Sequence, residues 1–211
     1  MRNTRTSMAR RTALMAATLT AGLVLTACGG SSSDSGSGGH DSHSAGSSSP
    51  SSSTAAHNAQ DVSFAQGMIP HHQQALEMAK LAAGRASSAK VKDLAARIEK
   101  AQDPEIRTMS GWLRSWGQSV PSAMPGMDHS AHSGMAGMMD SKDMDELEKA
   151  SGTEFDTMFL TMMIEHHKGA VQMAGTEKSK GAYAPATTMA DAIITGQTAE
   201  IKEMNKLLGK S

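Results

Sequence analysis

The sequence predicts an all-α protein, a four-helix bundle built from two tandem helical hairpins, and three observations support this. A segment with the core Met68-Ile69-Pro70-His71-His72 recurs as Met163-Ile164-Glu165-His166-His167, at a constant offset of 95 residues. The pattern Gln-x-x-Glu-Ile-x-x-Met follows each copy, from Gln102 and again from Gln197. Apolar residues in these segments recur at helical spacing. Two hairpins with one apolar stripe each can bury those stripes only against each other.

The first 27 residues have the layout of an export signal, with four arginines before an apolar run at 13–24. That run is too short for a convincing membrane span. It leads into Leu25-Thr26-Ala27-Cys28, which resembles the lipobox of bacterial lipoproteins and implies cleavage before Cys28 and a lipid on its sulfur. We therefore expect an exported protein, anchored by lipid to the extracytoplasmic face of the bacterial cell membrane. An uncleaved anchor is the alternative, and Arg10-Arg11 leaves a twin-arginine export route open.

Composition and charge exclude several classes of function. Removal of residues 1–27 would take away four arginines and no acids, so the net charge would change from −1 to −5. Such a chain lacks the basic face that nucleic-acid binding requires. Because Cys28 is the only cysteine, an internal disulfide, a cysteine nucleophile and a thiolate metal site are all excluded. The sequence also contains no phosphate-binding loop and no nucleophile–base motif, which disfavours an enzyme.

The chain is predicted to divide into an anchor, a tether and one duplicated domain. Residues 28–58 consist mostly of Ser, Gly, Ala and His, a composition that predicts a disordered tether between membrane and domain. His40 and His43 in this tether are either a weak metal contact or incidental. Residues 59–211 are the duplicated four-helix domain, with repeat 1 at 59–117, a Met/His-rich linker at 118–150 and repeat 2 at 151–211.

Four helices are predicted, in two equivalent pairs. In the first helix, Phe64, Met68 and Ala75 share one narrow stripe at about 100° per residue, and the two histidines flank it on either side. Asp61 and Asp156 occupy equivalent positions and are predicted to be helix N-caps. The predicted bounds are about 62–83, 88–116, 153–177 and 185–208.

Pairs of potential metal ligands recur four residues apart, so that each pair shares one helix face. Met68 pairs with His72 and Met163 with His167; carboxylate–thioether pairs follow on the second helix of each hairpin. Thioether and imidazole ligands suit Cu(I), and imidazole also suits Cu(II), although another divalent metal is not excluded. The candidate ligands inside the bundle are Met68, His71, His72, Glu105, Met109, Met163, His166, His167, Glu200 and Met204.

Each of these residues also has a structural interpretation without metal. Methionine on a helix stripe usually fills a core, and a buried histidine is usually satisfied by a hydrogen bond. A buried carboxylate is costly unless it is paired or bound to a metal, so a metal-free glutamate–histidine network is the main rival. Gln102 and Gln197 are interpreted as hydrogen-bond partners that orient the acids or the imidazoles.

The linker provides a separate signal for metal binding, because a disordered segment has no core for methionine to fill. Its Met-x-x-Met and Met-x-His spacings resemble the methionine motifs of exported copper-handling proteins. Its candidate ligands are Met124, Met127, His129, His132, Met135, Met138 and Met139.

Both repeated patterns together resemble the family called domain of unknown function 305, over roughly residues 59–208. The resemblance implies a ferritin-like four-helix bundle, export and, in some members, copper binding or copper tolerance. Pro70, which belongs to the family pattern, is replaced by Glu165 in the second copy. A di-iron site is disfavoured, because the Glu-x-x-His motif of such sites is absent. The family pattern falls on Asp61, Phe64, Met68, His71, His72, Met78, Gln102, Glu105 and Met109, and on Asp156, Phe159, Met163, His166, His167, Met173, Gln197, Glu200 and Met204.

Three hypotheses of function follow. The first is a lipid-anchored copper-binding protein that buffers, stores or delivers Cu(I) rather than catalysing a reaction. The second is a metal-free envelope scaffold or interaction module, and the third is a metal-dependent oxidase. The partners expected are metal ions and, through the N-terminal lipid, the membrane. The sequence does not give the stoichiometry, the protein partner, the oligomeric state or whether the repeats form one shared site or two.

Overall fold

The computed structural model describes residues 56–122 and 135–210, and five α-helices make up most of this part of the chain. The prediction of an all-α bundle from two tandem hairpins is confirmed, and each long helix ends within three residues of its predicted bounds. The predicted signal, Cys28, His40, His43, Met124, Met127, His129 and His132 all lie outside the described residues. The helices are α1 (Ala59–Arg85), α2 (Ala89–Ser115), α3 (Ser141–Lys149), α4 (Gly152–Lys180) and α5 (Ala184–Leu207).

The two hairpins, α1–α2 and α4–α5, meet through α1 and α4. These two inner helices are therefore buried on more than one side, as the adjacent buried residues Met68 and Ile69 in α1 illustrate. The core forms two apolar clusters. One contains Met78, Leu94, Ile98, Phe155 and Phe159, and the other contains Phe64, Ile69, Leu113, Ala174 and Ile193.

The prediction that Asp61 and Asp156 are N-caps of their own helices is wrong. Asn58 caps α1, and Asp61 completes that capping box from the N3 position. Asp61 also accepts hydrogen bonds from the backbone N–H groups of Ala182 and Tyr183, in the loop between α4 and α5. Asp156 likewise accepts hydrogen bonds from the backbone N–H groups of Ser87 and Ser88, in the loop between α1 and α2. Each aspartate therefore ties down the loop of the opposite hairpin, a contact that one helix's own sequence cannot reveal.

Part of the predicted linker is ordered and packed. α3 lies within it and contacts α1 and α4, with Leu147 fully buried. Met139 is 9% exposed, so this linker methionine fills core space after all. Within 56–122 and 135–210, no helix is both long enough and apolar enough to cross a membrane.

Candidate metal centre

The four histidines of the two pairs are fully buried at the centre of the bundle. Adjacent residues on a helix point about 100° apart, so each pair splits between two directions. His71 and His166 face each other across the contact between α1 and α4, with ring centroids 3.8 Å apart. The other member of each pair turns toward the outer helix of its own hairpin.

Each of these outward-turned histidines contacts a glutamate. His72 Nε2 lies 2.8 Å from Glu105 Oε2, and His167 Nε2 lies 2.7 Å from Glu200 Oε2. An ionised carboxylate can only accept, so in the neutral ring form Nε2–H donates and the lone pair lies on Nδ1. Nδ1 of both rings has no hydrogen-bond partner among the described residues. A histidine that donates one ring N–H to a carboxylate and leaves the other nitrogen free has the arrangement usual for a metal ligand.

The inner histidines are held neutral by their surroundings. Burial lowers the pKa of His71 to about 3, with the neighbouring His72 adding to the effect. Burial also lowers the pKa of His166 well below its ordinary value, followed by the effects of the other three histidines. Neutral imidazole is the form that binds metals. Neither ring nitrogen of His166 has a partner within the described part of the chain.

The four candidate methionines are fully buried, and the structure divides them two and two. Met68 and Met109 belong to one apolar cluster, whereas Met163 and Met204 belong to the other. Each set comes from a single hairpin, which also supplies the outward-turned histidine and its glutamate. The fold thus divides the candidate thioethers by hairpin, as it divides the two histidine–glutamate contacts.

Oxygen and nitrogen ligands alone do not complete a site in this geometry. Across 56–122 and 135–210, no three His, Asp or Glu side chains are grouped so that they could hold an ion. The substituted position Glu165 adds no further ligand, because its carboxylate is exposed and pairs with Lys168 at 2.7 Å. A site in the bundle with three or more protein ligands would therefore include thioethers.

Gln102 and Gln197 lie with the two glutamates in a cleft between α2 and α5. The cleft encloses about 50 Å³, and Glu105 and Glu200 are 24% and 17% exposed there. The Gln102 amide and Gln197 Oε1 have no hydrogen-bond partner among the residues described. Their orienting role stays a prediction, but their place in the cleft puts polar groups between solvent and the buried histidines.

On the opposite side, residues 135–140, here called the strap, lie against α1 and α4. His71 Nε2 is 3.2 Å from the carbonyl oxygen of Ala136, and the Gln74 amide exchanges two hydrogen bonds of 2.8 Å with the backbone of Met139. A Cβ on Gly169 would lie 1.8 Å from the same Ala136 oxygen, so only glycine allows this approach. Gly137, at φ 80°, also packs against the backbone of α4.

Sequence reasoning missed Gln74 and Gly169 as residues that cover the histidines. They occupy equivalent positions in the two copies, and both differ from the shared pattern. The sequence does carry a signal for them, because the Gln74/Gly169 position differs between the two copies beside an otherwise repeated motif. Of the linker candidates in the described part, Met139 is buried, whereas Met135 and Met138 are half-buried.

Comparisons with known proteins agree with this architecture. The family model for the domain of unknown function DUF305 matches residues 61–208. A DUF305 protein from Streptomyces coelicolor is 32% identical, with a TM-score of 0.64, over 72% of this chain and 93% of that chain. No curated protein matches the sequence significantly.

Structures of a protein named CopM are also similar. Its Cu(I)-bound form is 34% identical, with a TM-score of 0.58, over 70% of this chain and 94% of that chain. Its Cu(II)-bound form is 36% identical, with a TM-score of 0.59 over the same shares. Because the family model spans most of the sequence and these structures share the fold, the chain belongs to the DUF305 family.

Proposed function

We propose that this protein binds copper in two equivalent buried centres, one in each hairpin. In the first centre the ligands are His72, Met68 and Met109, and Glu105 holds the imidazole in position. In the second they are His167, Met163 and Met204, with Glu200 in the corresponding role. His71 and His166 lie between the centres, where either ring can supply a further nitrogen.

The observation that carries this proposal is the set of fully buried ring nitrogens that have no partner within the described residues. A buried polar atom without a hydrogen bond costs about 1–3 kcal/mol, and the same cost recurs in both hairpins. A bound ion would satisfy these nitrogens. Buried thioethers beside neutral imidazoles are a donor set that favours Cu(I) and accepts Cu(II).

The similar structures support the same metal. CopM has been crystallised with Cu(I), with Cu(II) and with silver, a soft ion like Cu(I). At 34% and 36% identity over more than two thirds of this chain, CopM is similar enough for its ions to guide the choice of metal.

Buffering or delivery of copper fits the site better than catalysis. The histidines are covered by the strap on one side and reached past Glu105 and Glu200 on the other, so a bound ion would be shielded from solvent. The linker methionines and histidines outside the core, among them Met124, Met127, His129 and His132, would capture further ions.

We place this activity outside the cytoplasm, with Cys28 as the lipid attachment site. The arginine-rich start, the apolar run and the lipobox resemblance support this, and the Streptomyces coelicolor relative is described as a candidate secreted protein. Cys28→Ser is expected to release the protein from the membrane fraction. Unchanged membrane association would leave an uncleaved anchor as the explanation.

An anaerobic Cu(I) titration of the full-length chain against a competing chelator tests the two centres. We expect His72→Ala to remove one equivalent of tight binding, His167→Ala to remove another, and the double variant to remove both. The matched control is His57→Ala, an exposed histidine at the end of the bundle, which should bind like the unchanged protein.

Two outcomes would contradict the proposal. Loss of all tight binding in either single variant would show one shared site in place of two centres. Unchanged binding in the double variant would mean that the histidine pairs form a metal-free glutamate–histidine network and that the bundle is a scaffold.

A further inference from the structure

Two methionine sulfurs face the same small space beside α1, one helical turn before His71. A Cβ placed on Gly67 would lie 3.7 Å from Met173 Sδ and 3.9 Å from Met135 Sδ. Met173 belongs to α4 and Met135 to the strap, and both are half-buried. Three separate segments of the chain therefore meet at this point, and two of them contribute a thioether.

The position of Met135 is fixed by its neighbours in the strap. Ala136 follows it directly and lies in contact with His71 and Gly169, while Met139 is bonded twice to Gln74. The Met138 N–H donates to the Met135 carbonyl at 3.2 Å, so the Met-x-x-Met sequence forms one turn. This turn places Met135 beside α4, next to the strap residues that contact His71 and Gln74.

Met173 packs at the edge of an apolar cluster, but its environment differs from that of its equivalent in the first hairpin. Met78, the equivalent of Met173 in the first hairpin, is fully buried in an apolar cluster. Met173 is instead half-buried, and its sulfur lies over a position where α1 has no side chain. In the second hairpin the equivalent of Gly67 is Met162, which carries a side chain at this position.

We propose that Met135 and Met173 form a separate binding site for a soft monovalent cation, Cu(I) or Ag(I). Thioether is a soft ligand that favours such ions over hard ions such as Mg(II). The site lies where the methionine-rich linker joins the bundle, and it uses none of the residues of the two buried centres. It therefore goes beyond them, as a surface position at which the linker and the bundle can exchange an ion.

Methyl-labelled methionine NMR of the full-length chain, titrated with silver nitrate, tests this site. Ag(I) is the probe because it is stable in air. We expect the Met135 and Met173 methyl signals to shift together with one midpoint. Met173→Leu should abolish the shift of Met135, and Met135→Leu should abolish that of Met173. Met158→Leu, a half-buried methionine on the same helix, is the matched control and should leave both shifts unchanged.

The Ag(I)-induced shifts of Met135 and Met173 are expected not to depend on metal binding at the buried centres. In the His72→Ala, His167→Ala double variant the coupled shift should persist, even if copper binding by the bundle is lost. The proposal is overturned if the two signals move at different midpoints, if either moves when the other methionine is leucine, or if neither moves at saturating Ag(I). Because the first and last of these are read on the unchanged protein, a folding defect in a variant cannot obscure the result.

Discussion

The two hairpins keep the same chemistry at their histidines but differ wherever they meet the segment that joins them. The His72–Glu105 and His167–Glu200 contacts differ by only 0.1 Å in length. In contrast, Gln74 bonds the strap through its side chain, whereas its equivalent Gly169 accommodates the strap by having none. One connecting segment cannot contact two equivalent surfaces in the same way, so the positions that face it have diverged.

A second difference lies at the end of the bundle, where α1 begins and α4 ends. Glu177 is fully buried there, whereas its equivalent in the first hairpin is Ala82. Burial, followed by the nearby Asp61, raises the pKa of Glu177 to about 8. A duplicated helix therefore tolerates a costly carboxyl group in one copy, which shows that equivalence is maintained at the histidines and relaxed elsewhere.

The largest effect is expected from the two aspartates that tie down the opposite loops. Asp156→Ala removes three hydrogen bonds to Ser87 and Ser88 and should lower the free energy of unfolding by about 3 kcal/mol, measured in urea. Asp61→Ala likewise removes three backbone hydrogen bonds, from Asn58, Ala182 and Tyr183, and should cost a similar amount. Near neutral pH the raised pKa of Glu177 keeps its carboxyl group protonated, so the substitution relieves no repulsion. A loss much smaller than that of Asp156→Ala would show that Glu177 is ionised and repels Asp61.

Gly169→Ala should displace the strap, because the new Cβ would overlap the Ala136 oxygen. We expect the free energy of unfolding to fall by about 1–3 kcal/mol, as for other overpacked sites. Gly175→Ala is the control on the same helix, since its Cβ would meet no atom within 4 Å, and it should stabilise the protein by about 0.5–1 kcal/mol. A stabilising Gly169→Ala would mean that the strap does not need this close approach.

Glu177→Gln should stabilise the protein on the order of 1 kcal/mol near neutral pH. The folded-state pKa of about 8 lies above the ordinary value of 4.5, so the unfolded chain loses its proton first. The contribution of Glu177 is therefore fully present below pH 4.5 and is lost as the pH rises toward 8. Urea unfolding across this range should show a flatter pH dependence in the variant. An unchanged slope would show that Glu177 ionises normally in the folded protein.

The smallest effect is expected at Glu165, the residue that replaces Pro70 beside the second histidine pair. Its carboxylate is exposed and bonds Lys168, so Glu165→Ala should change the free energy of unfolding by less than about 0.5 kcal/mol. The copper stoichiometry should not change either. A lost equivalent of copper would instead assign Glu165 to the second centre and break the equivalence of the two hairpins.

Sequence by itself determined the four long helices, the duplication and the residues that line the bundle centre, but not the short helix α3. Helical periodicity depends on neighbours three and four residues apart, so it can be read along one segment. The constant offset of 95 residues identified the equivalent pairs, and the buried state of all four histidines agrees with their place beside the apolar stripe.

Only the tertiary structure decided which segments those residues contact. Asp61 and Asp156 look like caps of their own helices until the loop of the other hairpin is brought beside them. The division of four methionines into two groups depends on how the hairpins cross, and the Met135–Met173 pair depends on where the linker returns. Such contacts join residues far apart in sequence, and their identity is set by packing distances that no local pattern records.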